Sequence, residues 1–233
     1  MSSDSSLAPE TQWVLARAFL PPDSSIDLPP DLGAIWPEAT RLRMAPRIAS
    51  RCGAARLARE LGNQQAQLFA TASRRAAVDA MRVAAQLRYL ARTADRLGLR
   101  FAVLKGAAFH EAHLCLPGAR PLADCDILCP RRDAVRLFEA LLDDGWIQEV
   151  GWRTDYHLPP LHKDGALPLE IHDAIPLVVT KGRLWATYED LEQCKSLDVT
   201  PGAGALVSVE FLRAHAIAHA VAQPERMTAR TIA

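Results

Sequence analysis

The fold is decided by the stretch Ala119-Arg-Pro-Leu-Ala-Asp-Cys-Asp-Ile-Leu-Cys129, in which two aspartates alternate with apolar residues. Side chains two positions apart in a β-strand project from the same face, so Asp124 and Asp126 are predicted to lie side by side. Cys125 and Ile127 then face the other way. Neighbouring carboxylates repel each other, which indicates a cation between them. An isolated Asp-x-Asp is also common at solvated strand edges, so the flanking segments have to distinguish the two interpretations.

A third carboxylate follows in the segment Leu169-Glu-Ile-His172. The alternation places Leu169 and Ile171 on one face of a strand, and Glu170 and His172 on the other. If the two strands are neighbours, Glu170 joins the aspartates. Oxygen-rich groups of this kind suit Mg²⁺, which binds carboxylates together with the phosphates of a substrate. Three acids can hold a pair of divalent ions for a displacement at phosphorus.

A strand-to-helix junction precedes the aspartates. Phe101-Ala-Val-Leu104 is predicted to be a short apolar strand, and a helix is predicted from Lys105-Gly106 to about Leu114. Glycine at such a junction lets backbone amides approach a phosphate at the positive end of the helix dipole. The junction therefore favours phosphate chemistry over a solvated strand edge.

Four segments together carry a resemblance to a known family: Val103-Leu-Lys-Gly106, Pro117-Gly-Ala-Arg120, Asp124-Cys-Asp-Ile-Leu128 and Leu169-Glu-Ile-His172. They resemble a bacterial branch of the DNA polymerase beta nucleotidyltransferase superfamily, whose members are described as uncharacterised nucleotidyltransferases. The resemblance implies an α+β fold in which a small mixed sheet is backed by helices. It also implies Mg²⁺-dependent transfer of a nucleoside monophosphate from an NTP to an unidentified hydroxyl-bearing acceptor, with release of pyrophosphate.

The resemblance assigns catalysis and metal binding to the three acids. Asp124, Asp126 and Glu170 would hold two Mg²⁺ ions, with Mn²⁺ as the alternative ion. Glu170 would also help to deprotonate the acceptor. His172 shares a strand face with Glu170. We expect it to orient that acid without binding the metal itself.

The same resemblance implies a nucleotide-binding set. Gly106 and the amides after it, including that of Ala107, would hold the triphosphate, while Lys105 or Arg120 would neutralise its charge. A structural salt bridge is the alternative role for each of these two cations. The wider superfamily usually has Gly-Ser or Gly-Gly in place of Gly106-Ala107, so a hydroxyl contact to phosphate is missing. This departure motivates a second hypothesis, a catalytically silent nucleotide-binding or regulatory protein that kept the fold.

Composition restricts the partners. The 233 residues contain 27 Lys+Arg and 27 Asp+Glu, so the formal net charge is zero. Proteins that coat nucleic acid need a surplus of cations, and nucleic acid is therefore not an expected partner. The expected partners are an NTP and an acceptor that is a small molecule, a peptide or a protein. A toxin-type enzyme that modifies RNA or protein is a third hypothesis, although the neutral charge does not support RNA.

The segments that would indicate secretion or membrane insertion are missing from the sequence. The N-terminus lacks a basic segment followed by an apolar stretch, and no run reaches the roughly 18 apolar residues of a membrane span. The five cysteines form no CxxC pair, which favours reduced thiols. We therefore expect a cytoplasmic protein without membrane association.

Three regions are predicted along the chain: a helical N-terminal region (1–98), the nucleotidyltransferase core (99–180) and a helical C-terminal region (181–233). Helix is predicted from Leu206 onward. Relatives generally carry further helical sequence, so the C-terminal region is expected to be truncated. Within the core, an amphipathic helix is predicted at 131–144 and strands at 146–150, 156–161 and 167–171, the last two joined by a Lys-Asp-Gly turn.

Overall fold

The computed structural model describes residues 7–150, 156–179, 182–200 and 204–222. The chain divides into two compact units. One contains the described residues up to Val78 together with Leu116–Pro121, and the other contains Asp79–Cys115 and the described residues from Leu122 onward. The three regions predicted from the sequence stay a prediction.

The first unit is helical. It contains α1 (Pro9–Phe19), a short 3-10 helix (Leu32–Ala34), α2 (Ile35–Arg41), α3 (Ala45–Cys52), α4 (Ala54–Leu61) and the first part of α5 (Asn63–Leu97). Gly53 and Gly62 separate α3, α4 and α5, and their φ angles of 73° and 84° lie in the left-handed region that glycine adopts without strain. Trp13, Ile48 and Phe69 are fully buried in the core of this unit.

The second unit is built on a mixed sheet. Its strands are β1 (Ala102–Val103), β2 (Cys125–Leu128), β3 (Ile147–Gln148), β4 (Leu161–His162), β5 (Leu169–His172), β8 (Leu197–Thr200) and β9 (Gly204–Val207), in the spatial order β3-β4-β5-β2-β1-β9-β8. Strand β2 pairs with β1 in the antiparallel sense and with β5 in the parallel sense. A separate antiparallel hairpin consists of β6 (Ile175–Val179) and β7 (Gly182–Ala186).

Helices back this sheet, so the predicted α+β fold with a mixed sheet is confirmed. They are the rest of α5, α6 (Lys105–Glu111), α7 (Arg131–Asp143), α8 (Tyr188–Gln193) and α9 (Val209–Ala222). The core of the unit joins Leu90 of α5 and Ile127 of β2 to Leu137 and Leu141 of α7. Residues three and four apart on α7 share this buried face, as its amphipathic pattern predicts. Within the described part of the chain, no helix combines the length and the apolar character needed to cross a membrane.

The C-terminal region corrects the sequence prediction. Helix was expected from Leu206, but Gly204–Val207 is strand β9 and the helix begins at Val209. Strand β9 lies inside the sheet, between β1 and β8. Ala205 and Val207, which share one face of the strand, are buried. An apolar run buried in the middle of a sheet cannot be distinguished from a buried helix by its periodicity. Strands β7 and β8 also lie in this region, which was predicted to be helical.

Candidate active site

The two acidic strands are neighbours, which is the condition under which Glu170 joins the aspartates. Strands β2 and β5 are parallel in the register Asp126↔Glu170 and Leu128↔His172. Every residue of β2 is buried, and the side chain of Asp126 is only 1% exposed. Glu170 keeps 21% of its side chain exposed. The pair therefore combines a carboxylate inside the core with one that reaches the surface.

Lys105 places its ammonium between these carboxylates. Its Nζ lies 2.5 Å from Oδ1 of Asp126 and 3.8 Å from Oε2 of Glu170. Lys105 begins α6 directly after β1, and the N–H of Leu104 donates to the backbone carbonyl of Asp126 at 2.9 Å. The pairing of β1 with β2 thus brings the lysine to the acids. The structure shows the salt bridge that was the alternative role for Lys105.

The charges of this group stabilise one another. Burial disfavours a charge on Asp126, but the Lys105 ammonium and a hydrogen bond from His172 outweigh burial and hold the pKa of Asp126 far below its usual range. Burial also disfavours the charged form of Lys105, but the charges of Asp126, Glu170 and Asp124 prevail and raise the pKa of Lys105. Lysine and buried aspartate are therefore both charged at neutral pH.

His172 orients the carboxylate of Asp126. Its Nε2 lies 2.9 Å from Oδ1 of Asp126 and 3.5 Å from Oε2 of Glu170. Its Nδ1 is buried without a hydrogen-bond partner in the described ranges. A proton on Nδ1 would be buried without an acceptor, so the tautomer with the proton on Nε2 is favoured and Nε2 donates to Asp126. His172 thus contacts Asp126 more closely than Glu170, the acid that it was expected to support.

The carboxylates fit a divalent cation. One ligand atom each from Asp126, Glu170 and His172 lie within 4.8 Å of one another. Oδ2 of Asp126 is buried and, among the residues that the structure describes, has no hydrogen-bond partner. A buried acceptor without a partner is costly, and a hard cation would supply the partner. His172 would have to give up its Nε2 proton to become a ligand, so the two acids are the better candidates.

Asp124 lies next to the N-terminal end of β2. It directly precedes β2, which begins at Cys125, and it is half-buried. Its charge contributes to the raised pKa of Lys105, after the larger effects of burial, Asp126 and Glu170. Among the described residues, Asp124 is not part of the close group of metal-binding atoms. The structure therefore brings Asp126, Glu170, His172 and Lys105 together and places Asp124 beside them in the chain.

The junction residues have packing roles of their own. A Cβ on Gly106 would lie 2.7 Å from Cδ2 of the buried Leu122, so a larger residue here requires the end of that side chain to move. Ala107 is only 1% exposed as a whole residue and belongs to the core, so its methyl group is buried. Lys105 has a φ of 46°, in the left-handed region that non-glycine residues rarely adopt. Phosphate binding by these residues stays a prediction.

Arg120 belongs to the other unit. It lies in the segment Leu116–Pro121, which clusters with the helical first unit. This segment is fixed there by Ser73, whose Oγ donates to the carbonyl of Gly118 at 3.0 Å. The predicted contact of Arg120 with a triphosphate stays a prediction.

Aromatic side chains next to His172 were not identified from the sequence. The rings of Tyr156 and His172 are stacked at 6.0 Å with an interplanar angle of 18°. His157 lies 5.1 Å from His172 between ring centroids, and Trp185 lies 5.6 Å from Tyr156. Burial lowers the pKa of His157, although its hydrogen bond to Leu158 opposes the shift. Strand pairing brings these rings together, and no local pattern indicates that.

A comparison with protein families matches residues 29–228 to the family described as uncharacterised nucleotidyltransferase. The chain belongs to this family. It is accordingly a nucleotidyltransferase, an enzyme of the transferase class. The match extends on both sides beyond the stretch of about residues 99–180 that carried the resemblance.

The second comparison concerns solved structures. The nucleotidyltransferase is similar to a crystal structure of a Thermotoga maritima protein assigned as a nucleotidyltransferase, with 23% sequence identity and a TM-score of 0.43. The similarity covers 60% of this chain and 88% of the other. No curated protein matches the chain.

Proposed function

We propose that this nucleotidyltransferase transfers a nucleoside monophosphate from an NTP to a hydroxyl-bearing acceptor, with Mg²⁺ or, as the alternative, Mn²⁺ as its metal. The acceptor is a small molecule, a peptide or a protein, and the reaction takes place in the cytoplasm. The core is assigned to the DNA polymerase beta superfamily on its motifs. The observation that carries the proposal is the in-register pair Asp126↔Glu170, whose buried Oδ2 on Asp126 has no hydrogen-bond partner among the described residues.

Each acid has a distinct part in this proposal. Asp124, Asp126 and Glu170 would hold two ions, which supply positive charge to the triphosphate and to the charge that develops during transfer. Glu170 accepts the proton of the acceptor hydroxyl, because its side chain is the more exposed of the paired carboxylates. The acceptor oxygen bonds to the α-phosphorus, the bond from that phosphorus to the bridging oxygen breaks, and pyrophosphate leaves with the electron pair.

Other residues of the chain position the reactants. His172 donates to Oδ1 of Asp126 and so leaves Oδ2 of that carboxylate for a cation. The triphosphate is held by the amides of Gly106 and Ala107 and by the charge of Lys105.

Pyrophosphate release tests the proposal. The protein is mixed with Mg²⁺ or Mn²⁺, each α-labelled NTP and pools of small-molecule, peptide and protein acceptors. Pyrophosphate and the labelled product are measured together, and we expect both to appear in equal amounts. The double substitution Asp124→Ala and Asp126→Ala abolishes both signals, whereas Asp164→Asn, on an exposed turn residue, leaves them unchanged. Equal activity of the wild type and the double variant contradicts the site assignment.

A second function is favoured by the environment of Lys105 and Ala107. The ammonium already neutralises Asp126, and a buried methyl group, that of Ala107, stands where the superfamily that the chain resembles usually has a hydroxyl or a glycine. A catalytically silent regulatory protein would keep such a group for stability alone. Calorimetry with Mg-ATP and Mg-GTP distinguishes the two functions, since the absence of metal-dependent nucleotide binding at millimolar ligand supports the silent protein.

A further inference from the structure

We propose that Lys105 competes with divalent cations for Asp126 and Glu170, so that metal binding displaces its ammonium and the triphosphate of the nucleotide then receives it. This inference rests on the proposed function and goes beyond it, because it makes the binding of metal and the binding of nucleotide mutually dependent. Lys105 is a positioning residue in this scheme, since it determines when the acids are available.

The position of Lys105 beside both carboxylates explains the competition. Oδ1 of Asp126 accepts from Nζ of Lys105 at 2.5 Å and from Nε2 of His172 at 2.9 Å, and the same two donors lie 3.8 and 3.5 Å from Oε2 of Glu170. A divalent ion shared by the two carboxylates needs oxygen ligands at about 2.0–2.6 Å. Even when it binds Asp126 through Oδ2, its bond to Oε2 of Glu170 brings it close to the Lys105 ammonium, which repels it.

Lys105 is the donor that can move. Its side chain is 29% exposed and ends a flexible four-carbon stem, whereas His172 is 3% exposed and is fixed within β5. Lys105 also carries the charge that opposes a cation, because ammonium and a divalent ion repel each other strongly at short distance.

The nucleotide offers the displaced ammonium a new partner. A triphosphate that shares a cation with Asp126 and Glu170 brings its anionic oxygens close to Lys105, whose side chain is partly exposed. Lysine binds phosphate as a point charge and needs no fixed geometry for it. Nucleotide binding therefore removes the competitor of the metal. By thermodynamic reciprocity, metal binding strengthens nucleotide binding by the same factor.

Substitution of Lys105 separates this scheme from a purely structural salt bridge. Lys105→Met keeps an unbranched apolar stem and removes the charge, and Lys105→Gln keeps a donor for Asp126. Lys163→Met is the matched control, because Lys163 is a partly exposed lysine paired with Asp144 in the same unit. Circular dichroism verifies that each variant is folded.

The experiment measures Mn²⁺ affinity at about pH 8, where carboxylates are ionised. Free Mn²⁺ is followed by electron paramagnetic resonance, without nucleotide and with α,β-methylene ATP or GTP. We expect the Kd of the wild type for Mn²⁺ to fall about ten-fold when the nucleotide analogue is present. We expect both Lys105 variants to bind Mn²⁺ alone about ten-fold more tightly than the wild type. The analogue should strengthen their Mn²⁺ binding by a smaller factor than that of the wild type, because only the shared cation then couples the two ligands. Lys163→Met should behave as the wild type does.

Each result has one interpretation. If the Lys105 variants bind Mn²⁺ alone no more tightly than the wild type, the competition is wrong while the proposed function stands. If neither the wild type nor the variants bind Mn²⁺ with or without nucleotide, the proposed metal-dependent function fails. Where Lys105→Met does not fold, Lys105→Gln provides the same comparison, and its unfolding temperature should rise more with Mn²⁺ than that of the wild type.

Discussion

Each unit of the chain contains a carboxylate that accepts hydrogen bonds from two basic side chains. The two carboxylates differ in whether both of their oxygens have a partner. In the first unit, Arg17 donates to both oxygens of Glu60, at 2.8 and 3.1 Å, and Arg56 donates to the same carboxylate at 2.7 Å. The two guanidinium groups also donate to the carbonyls of Ser24 and Pro22. Both oxygens of Glu60 are thus paired, and the network fastens the connector around residue 23 to α1 and α4.

In the second unit, the carboxylate of Asp126 is more deeply buried and less completely paired. Lys105 and His172 both donate to Oδ1, and Oδ2 has no hydrogen-bond partner in the described part of the chain. A network that serves stability alone should satisfy every buried oxygen, because an unpaired one costs free energy. The contrast with Glu60 supports the proposal that the Asp126 group binds a ligand.

The largest expected effect is on catalysis, from Asp126→Asn. The substitution keeps the shape of the side chain and removes the charge that a cation and Lys105 require. We expect the rate of nucleotidyl transfer to fall by about a thousand-fold or more, which corresponds to ~4 kcal/mol of transition-state stabilisation. Initial rates of pyrophosphate release measure it, with Asp164→Asn as the control. A loss of less than ten-fold would remove Asp126 from the catalytic group.

A comparable change in the first unit should affect stability instead. Glu60→Gln leaves two guanidinium groups beside a neutral amide, so we expect the free energy of unfolding to fall by about 2 kcal/mol. Urea denaturation measures this, and Glu139→Gln, on an exposed face of α7, should change it little. The kcat of the Glu60→Gln variant should equal that of the wild type. A kcat loss as large as that of Asp126→Asn would contradict the division between a structural and a functional network.

The sequence predicts the acids of the site better than their partners. Alternation in two apolar segments predicts the strand faces of Asp126 and Glu170, so that the two acids meet if their strands are neighbours. The contact of Lys105 with Asp126 depends on the pairing of β1 with β2, and no pattern within either segment specifies that. His157 reaches His172 through an isolated bridge for the same reason.

The sequence predicts a helix or strand best when one face of the element is buried and the other is exposed to water. The amphipathic pattern of α7 predicts its extent, because one face of the helix meets the core and the other meets water. The segment of strand β9 is a short apolar run without alternating polar residues, and such a run does not distinguish a strand from a buried helix. Helix α8 has a recognisable start in the sequence, since Thr187 and Asp190 form a capping box.

A smaller effect tests the packing of the junction. Gly106→Ala places a methyl group 2.7 Å from Cδ2 of Leu122, so we expect overpacking to lower the free energy of unfolding by about 1–2 kcal/mol. Leu122→Ala removes the obstructing atom. In a double-mutant cycle measured by urea denaturation, the double variant should therefore be more stable than the sum of the single effects by about 1 kcal/mol. Additive effects would show that Gly106 and Leu122 do not compete for space.

The smallest expected effect is a pH dependence at His157. Its pKa is lowered in the folded protein, mainly by burial, while in the unfolded chain it is about 6.5. Between these two values the unfolded chain binds more protons, so stability falls as the pH decreases below about 6.5. We expect His157→Gln to reduce the loss of stability between about pH 7.5 and 5.5 by less than ~1 kcal/mol. Urea midpoints at the two pH values measure it, with the exposed His162→Gln as the control. An unchanged slope in His157→Gln would mean that His157 binds a proton in the folded protein as readily as in the unfolded chain.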